Sequence, residues 1–120
     1  MRFVALALTA LALGGCAAQP IYNWGGYESM LYAGYKDTTK MEKMKLGLEG
    51  HIAEMDKSNQ KIAPGLLAEL GTLYLQSGST DKAISMYSRE RDTWPESKGL
   101  MDAMINNLER RKQPHTEVTQ

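Results

Sequence analysis

The chain has 120 residues, enough for one small domain. Hydrophobic residues make up 42% and charged residues 23%, the proportions of a globular chain rather than a disordered one. Lys and Arg total 14, as do Asp and Glu. That balance excludes the basic footprint of a nucleic-acid binder, and a single Cys excludes an intramolecular disulfide or an all-Cys metal site.

The N-terminus reads Met1-Arg2, an apolar run from Phe3 to Leu13, then Gly14-Gly15-Cys16. Arg2 supplies a positive n-region, and a run of about eleven residues suits a signal-peptide h-region. A spanning helix needs about twenty apolar residues, so the run is expected to be removed rather than kept as a membrane anchor. Leu13-Gly14-Gly15-Cys16 resembles the lipobox of bacterial lipoproteins. That resemblance implies cleavage after residue 15, lipidation of the Cys16 thiol, and Cys16 as the mature N-terminus. In such lipoproteins an Asp after the Cys favours the inner membrane. Here the residue is Ala17, which implies the outer membrane, with the domain facing the periplasm.

Residues 16–26 read as the lipidated Cys and a short tether, because Pro20 and Gly25-Gly26 disfavour regular structure. Ile21, Tyr22 and Trp24 are costly to leave in water. Three places suit them: the folded domain, the bilayer interface or a partner.

From Tyr27 the apolar residues recur at helical spacing, with no strand alternation. The expectation is an all-α domain over 27–112, with about five helices in antiparallel hairpins. The first helix spans about 27–36, with Tyr27, Met30, Leu31 and Tyr35 as its stripe. Thr39 and Glu42 form a capping-box pattern before a second helix carrying Met41, Met44, Leu48, Ile52 and Met55. Gly47 and Gly50 mark a close crossing or a break in it. Pro64 suits the first turn of a third helix holding Leu66, Leu67, Leu70, Leu73 and Tyr74. Ser77-Gly78-Ser79 stops it.

Thr80 is the expected cap of a fourth helix, with Ala83, Ile84, Tyr87 and Trp94 inward and Pro95 as its terminator. Ser97 is the expected cap of a fifth. Its stripe is Leu100, Met101, Met104, Ile105 and Leu108, and Arg110, Arg111 and Lys112 complement its C-terminal dipole. Residues 113–120 read as a polar tail.

Residues 64–97 resemble a tetratricopeptide repeat, a helix–turn–helix unit of 34 residues. Leu70-Gly71, Tyr74, Gly78, Ala83, Tyr87 and Pro95 stand at the pattern's positions. Gly71 and Ala83 lack bulk where the two helices cross. Leu67 replaces the usual Trp, and Glu90 stands where a second small residue is usual. The repeat geometry implies a concave face containing Ala68, Thr72, Leu75 and Gln76, the expected partner-binding residues.

The mature region also resembles a family of small bacterial lipoproteins of unknown function. The carrying residues are Trp24-Gly25-Gly26-Tyr27-Glu28, Leu31-Tyr32, Pro64-Gly65-Leu66 and Trp94-Pro95-Glu96-Ser97. Members tend to be encoded beside a lipoprotein similar to the curli secretion channel, which implies a shared envelope complex as partner.

The chemistry-bearing residues form no constellation. His51 and Glu54 share a helix face but lack a further spaced His, so no metal site is expected. Ser77, Ser79 and Ser85 lack a glycine elbow and a base. No carboxylate stands in an apolar run that would raise its pKa for acid catalysis. Neither an enzyme nor a cofactor is expected. The expected function is a non-catalytic scaffold or adaptor, lipid-anchored at the outer membrane. The alternatives are an assembly factor or regulator, pilotin-like or activating a peptidoglycan synthase, and a structural envelope lipoprotein.

Overall fold

A computed structural model describes residues 20–113, and these carry five α-helices and no strand. The expected signal segment, Cys16 and the tail beyond residue 113 lie outside the described residues. The helices are α1 (Tyr27–Lys36), α2 (Met41–Lys57), α3 (Leu66–Gln76), α4 (Thr80–Thr93) and α5 (Lys98–Lys112). Single 3-10 turns, Thr38–Lys40 and Pro95–Ser97, join α1 to α2 and α4 to α5. The fold is all-α, as the periodicity predicts.

Two hydrophobic clusters hold the helices together. The first combines Met44, Leu48, Ile52 and Met55 of α2 with Leu66, Leu67, Leu70 and Leu73 of α3, and with Ile62 and Ala63 between them. Spacings of three and four set each group on one helix face. The second cluster combines Ala83 and Tyr87 of α4 with Met101, Ile105 and Leu108 of α5. Each fully buried Leu, Ile or Met stabilises the fold by about 1.5–3 kcal/mol relative to exposure. Helix α3 is the wall between the clusters. Its Leu side chains fill the first, Ala68 and Leu75 pack on the second, and Tyr74 touches both.

The α3–α4 hairpin closes where Gly71 meets Tyr87. A Cβ on Gly71 would lie 2.7 Å from Tyr87 Cε1 and 3.2 Å from the Ala83 carbonyl oxygen. No larger residue lets the helices approach this closely. The Tyr87 hydroxyl then shares a 3.0 Å hydrogen bond with Thr72 Oγ1, so the buried ring keeps its polar end satisfied.

The helix boundaries depart from the sequence reading at their caps. The Thr39–Glu42 capping box does not form. Residues 38–40 make a 3-10 turn, and Asp37 caps it by accepting from the Thr39 backbone N–H at 3.0 Å and the Thr39 hydroxyl at 2.6 Å. Pro64 does not open α3. Gly65, at φ 88°, is the residue before the helix, and it reverses the chain in a region that residues with a Cβ rarely enter. Thr80 is the first helical residue of α4 rather than its cap. Ser97 precedes α5 but makes no capping bond, because its hydroxyl donates to Glu90 instead.

Two stripe residues also face water. Tyr35 is 87% exposed. Gly34 takes the inner position of α1, where a Cβ would lie 3.1 Å from the Met41 sulfur. Leu100 is 64% exposed, because α5 meets α4 along Met101, Ile105 and Leu108, a narrower line than its full apolar arc. Gly47 and Gly50 do not break α2, which runs unbroken through both.

Candidate functional site

The surfaces open to a ligand or partner include grooves between helices and a hollow between α1 and the segment before it. Among the described residues no cluster of His, Cys, Asp and Glu is placed to hold a metal ion. No helix among them is long and apolar enough to cross a membrane.

The four residues expected on a concave face do not share one surface. Ala68 and Leu75 are half-buried against the second cluster. Thr72 is half-buried, donating to the Ala68 carbonyl at 3.1 Å and pairing with Tyr87. Gln76 is exposed and lines a small cleft toward α2, beside Met41, Glu42 and Lys45. Leu75 alone lines the groove between α3 and α5. That groove has a volume of about 280 Å³ and is completed by Ala103, Met104, Asn107, Leu108 and Arg111. It is apolar along its floor, with one guanidinium at its rim.

Glu90, at 1% exposure, is the one buried charged residue among those described. In the repeat pattern its position takes a small residue, and its bulk put tight packing in question. The structure uses the side chain instead. Oε1 accepts from the Gly65 backbone N–H at 2.8 Å and from the Ser97 hydroxyl at 3.2 Å. The entrance of α3, the end of α4 and the turn into α5 are thereby tied to one carboxyl group. Its Oε2 and the neighbouring Trp94 indole N–H find no partner among the protein atoms. The same corner carries Lys61, with Nζ 3.7 Å from the Trp94 ring centroid.

Residues 20–26, the described part of the expected tether, pack on the domain. Tyr22 stacks edge-on against Trp94, with centroids 5.4 Å apart at 87°. The Asn23 carbonyl lies 3.0 Å from His51 Nε2, so the ring in its Nε2–H tautomer donates to it. Gly25, at φ +59°, passes so near that a Cβ would sit 2.4 Å from the imidazole. His51 therefore clasps this strap to α2, while Glu54, its companion in the sequence reading, stays exposed. The two partners are 28 residues apart, and no local signal in the sequence links them.

Burial shifts three groups along α1 and α3. It raises the Glu69 carboxyl above its ordinary value. Burial first, and then the Glu69 charge, raises the Tyr27 phenol. Tyr74 is pushed up to about 12 by burial and by the Glu49 carboxylate beside it.

Two further hollows flank α1. One, of about 530 Å³, is bounded by Pro20, Trp24, Gly26, Tyr27, Glu28 and Leu31. The other, of about 540 Å³, lies between α1 and α2, where Met30, Ala33, Met44, Leu46 and Gly47 are overlooked by Lys43. The sequence reading missed both, because one forms where the strap meets α1 and the other where α1 meets α2, and neither carries a motif.

No curated protein and no solved structure matches the chain. Residues 21–104 match the family described as a domain of unknown function, DUF4810. That match spans the strap and most of the helical core, and the chain belongs to this family.

Proposed function

We propose that this protein is a non-catalytic adaptor in a bacterial envelope complex, anchored to the outer membrane by lipidated Cys16 and presenting its helices in the periplasm. The observation that carries the reading is the order of its parts. A lipobox-like Leu13-Gly14-Gly15-Cys16 stands directly ahead of a compact helical domain whose open features are apolar inter-helical grooves. The α3–α4 hairpin, with its Gly71–Tyr87 crossing, supports a tetratricopeptide-like unit. In such units the groove beside the first helix takes an extended peptide or a helix from a partner. Here that groove is the one floored by Leu75, Met104 and Leu108.

The partner in this reading is another envelope lipoprotein, one similar to the curli secretion channel. Affinity purification of the full-length protein from mildly cross-linked envelopes tests it, with a Cys16→Ser control. The expected result is acylated Cys16 and a stoichiometric channel-like protein that the control loses. An acylated bait with nothing retained would refute the adaptor. A deletion strain that loses ring assembly or synthase activity without a stable complex would point to the alternative, an assembly factor or regulator.

A further inference from the structure

The strap and α1 leave large apolar side chains in water on the part of the described chain nearest Cys16. Ile21 is 88% exposed and Tyr32 63%, and Tyr35 and Trp24 are exposed beside them. They fill no gap in the fold, because Tyr27, Met30, Leu31 and Gly34 already close the inner side of α1. Lys36 lies over the Tyr32 ring at 4.8 Å. Lys36 forms no ion pair with a described acidic residue.

Chain length decides what can cover these residues. Four peptide units separate Cys16 from Pro20, and fully extended they reach about 14 Å. The strap has no slack to add, since Tyr22 is held on Trp94 and Asn23 on His51. Acyl chains on Cys16 therefore hold Pro20 within about 14 Å of the headgroup layer, which puts Ile21 and Trp24 within reach of it. Trp and Tyr favour that layer because each ring is apolar with a polar edge. Unpaired Lys side chains favour it when the lipids are anionic.

We propose that the strap and the outer side of α1 lie against the leaflet that holds the Cys16 acyl chains, with Ile21, Trp24, Tyr32 and Tyr35 as interfacial side chains and Lys36 near anionic headgroups. This rests on the anchoring proposed above. The domain is then a surface-lying unit of fixed orientation, with the α3–α5 groove left for a partner.

The test uses full-length acylated protein, verified by mass spectrometry at Cys16. It is reconstituted in vesicles of phosphatidylethanolamine and phosphatidylglycerol carrying brominated acyl chains. A Trp24→Phe variant reports Trp94 alone, and its difference from the parent chain, in which Trp94 still holds Tyr22, reports Trp24. The expected result is that Trp24 loses most of its emission to the bromolipid while buried Trp94 keeps its own. Ile21→Glu with Tyr35→Glu, both at exposed positions that leave helicity unchanged by circular dichroism, restores the Trp24 emission. Acylated protein with unquenched Trp24 overturns the inference and leaves the anchoring intact, and its protection by a co-purifying protein would give the surface to that partner instead. Unmodified Cys16 overturns both.

Discussion

Gly65 and Glu90 are 25 residues apart, and the Gly65 backbone N–H donates to Glu90 Oε1 at 2.8 Å. Gly65 reverses the chain into α3, and Glu90 sits one turn before α4 ends. The bond fixes both ends of the hairpin from inside. Glu90 is buried but Gly65 is exposed, so losing the carboxyl group forfeits its two hydrogen bonds, about 0.5–1.5 kcal/mol each, and leaves a cavity where the side chain lay. Glu90→Ala is expected to destabilise the domain by about 2–4 kcal/mol, measured by urea unfolding. Glu90→Gln keeps an acceptor oxygen and is expected to lose less. Equal losses in the two variants would show that the Gly65 contact contributes little.

The glycines of α2 and α3 answer to substitution in opposite directions. Gly50→Ala meets nothing within 4 Å and gains helix propensity of about 1 kcal/mol, so thermal stability rises. Gly71→Ala gains the same propensity but drives a methyl into the Tyr87 ring and toward the Ala83 backbone. A buried ring cannot swing aside, and overpacking costs about 1–3 kcal/mol. The net effect is a loss of about 1 kcal/mol, with melting temperature as the measurement for both variants.

The strap's attachment is testable without unfolding the core. A Cβ at Gly25 collides with the His51 imidazole and also meets an unfavourable positive φ. Gly25→Ala is therefore expected to release residues 20–26, raising amide hydrogen exchange there while α3 and α4 keep their protection. Unchanged exchange in the strap would show that Tyr22 on Trp94 suffices to hold it.

Stability depends on pH through Glu69 and Asp37 with opposite signs. Burial raises Glu69 above its ordinary 4.5, so the folded state binds its proton more tightly than the unfolded chain does. Its contribution is fully present below that ordinary value and is lost as pH rises through the raised one. Thr39 hydrogen bonds lower Asp37 below its ordinary 3.8, so that contribution is present above 3.8 and lost as pH falls through the lowered value. Glu69→Gln is expected to flatten the decline just above pH 4.5, followed by denaturation midpoints across an acid series. A variant as steep as the parent chain would exclude Glu69 as the source.

Much of this architecture was legible in residue spacing. Met44, Leu48, Ile52 and Met55 announce one face of α2, and Gly71 with Ala83 and Tyr87 announces a close crossing. Caps were less legible, because Asp37, Thr38 and Thr39 offer several local hydrogen-bonding solutions and the sequence does not rank them. The surfaces were least legible. Ala68, Thr72, Leu75 and Gln76 lie on neighbouring arcs of α3, yet packing by α4, α5 and α2 divides them between two environments. The strap depends on Asn23 and Tyr22 meeting His51 and Trp94, contacts that exist only after the helices have assembled.

The docked strap is also stored length. With Tyr22 and Asn23 in place, a pull on Cys16 is transmitted into α2 and the corner after α4 rather than into α1. One aromatic contact and one imidazole hydrogen bond resist that pull, and both lie nearer the point of load than any helix of the core. Under tension the strap peels first, and the six peptide units from Pro20 to Gly26 then extend to at most about 21 Å. That length is drawn out before the core helices bear any force.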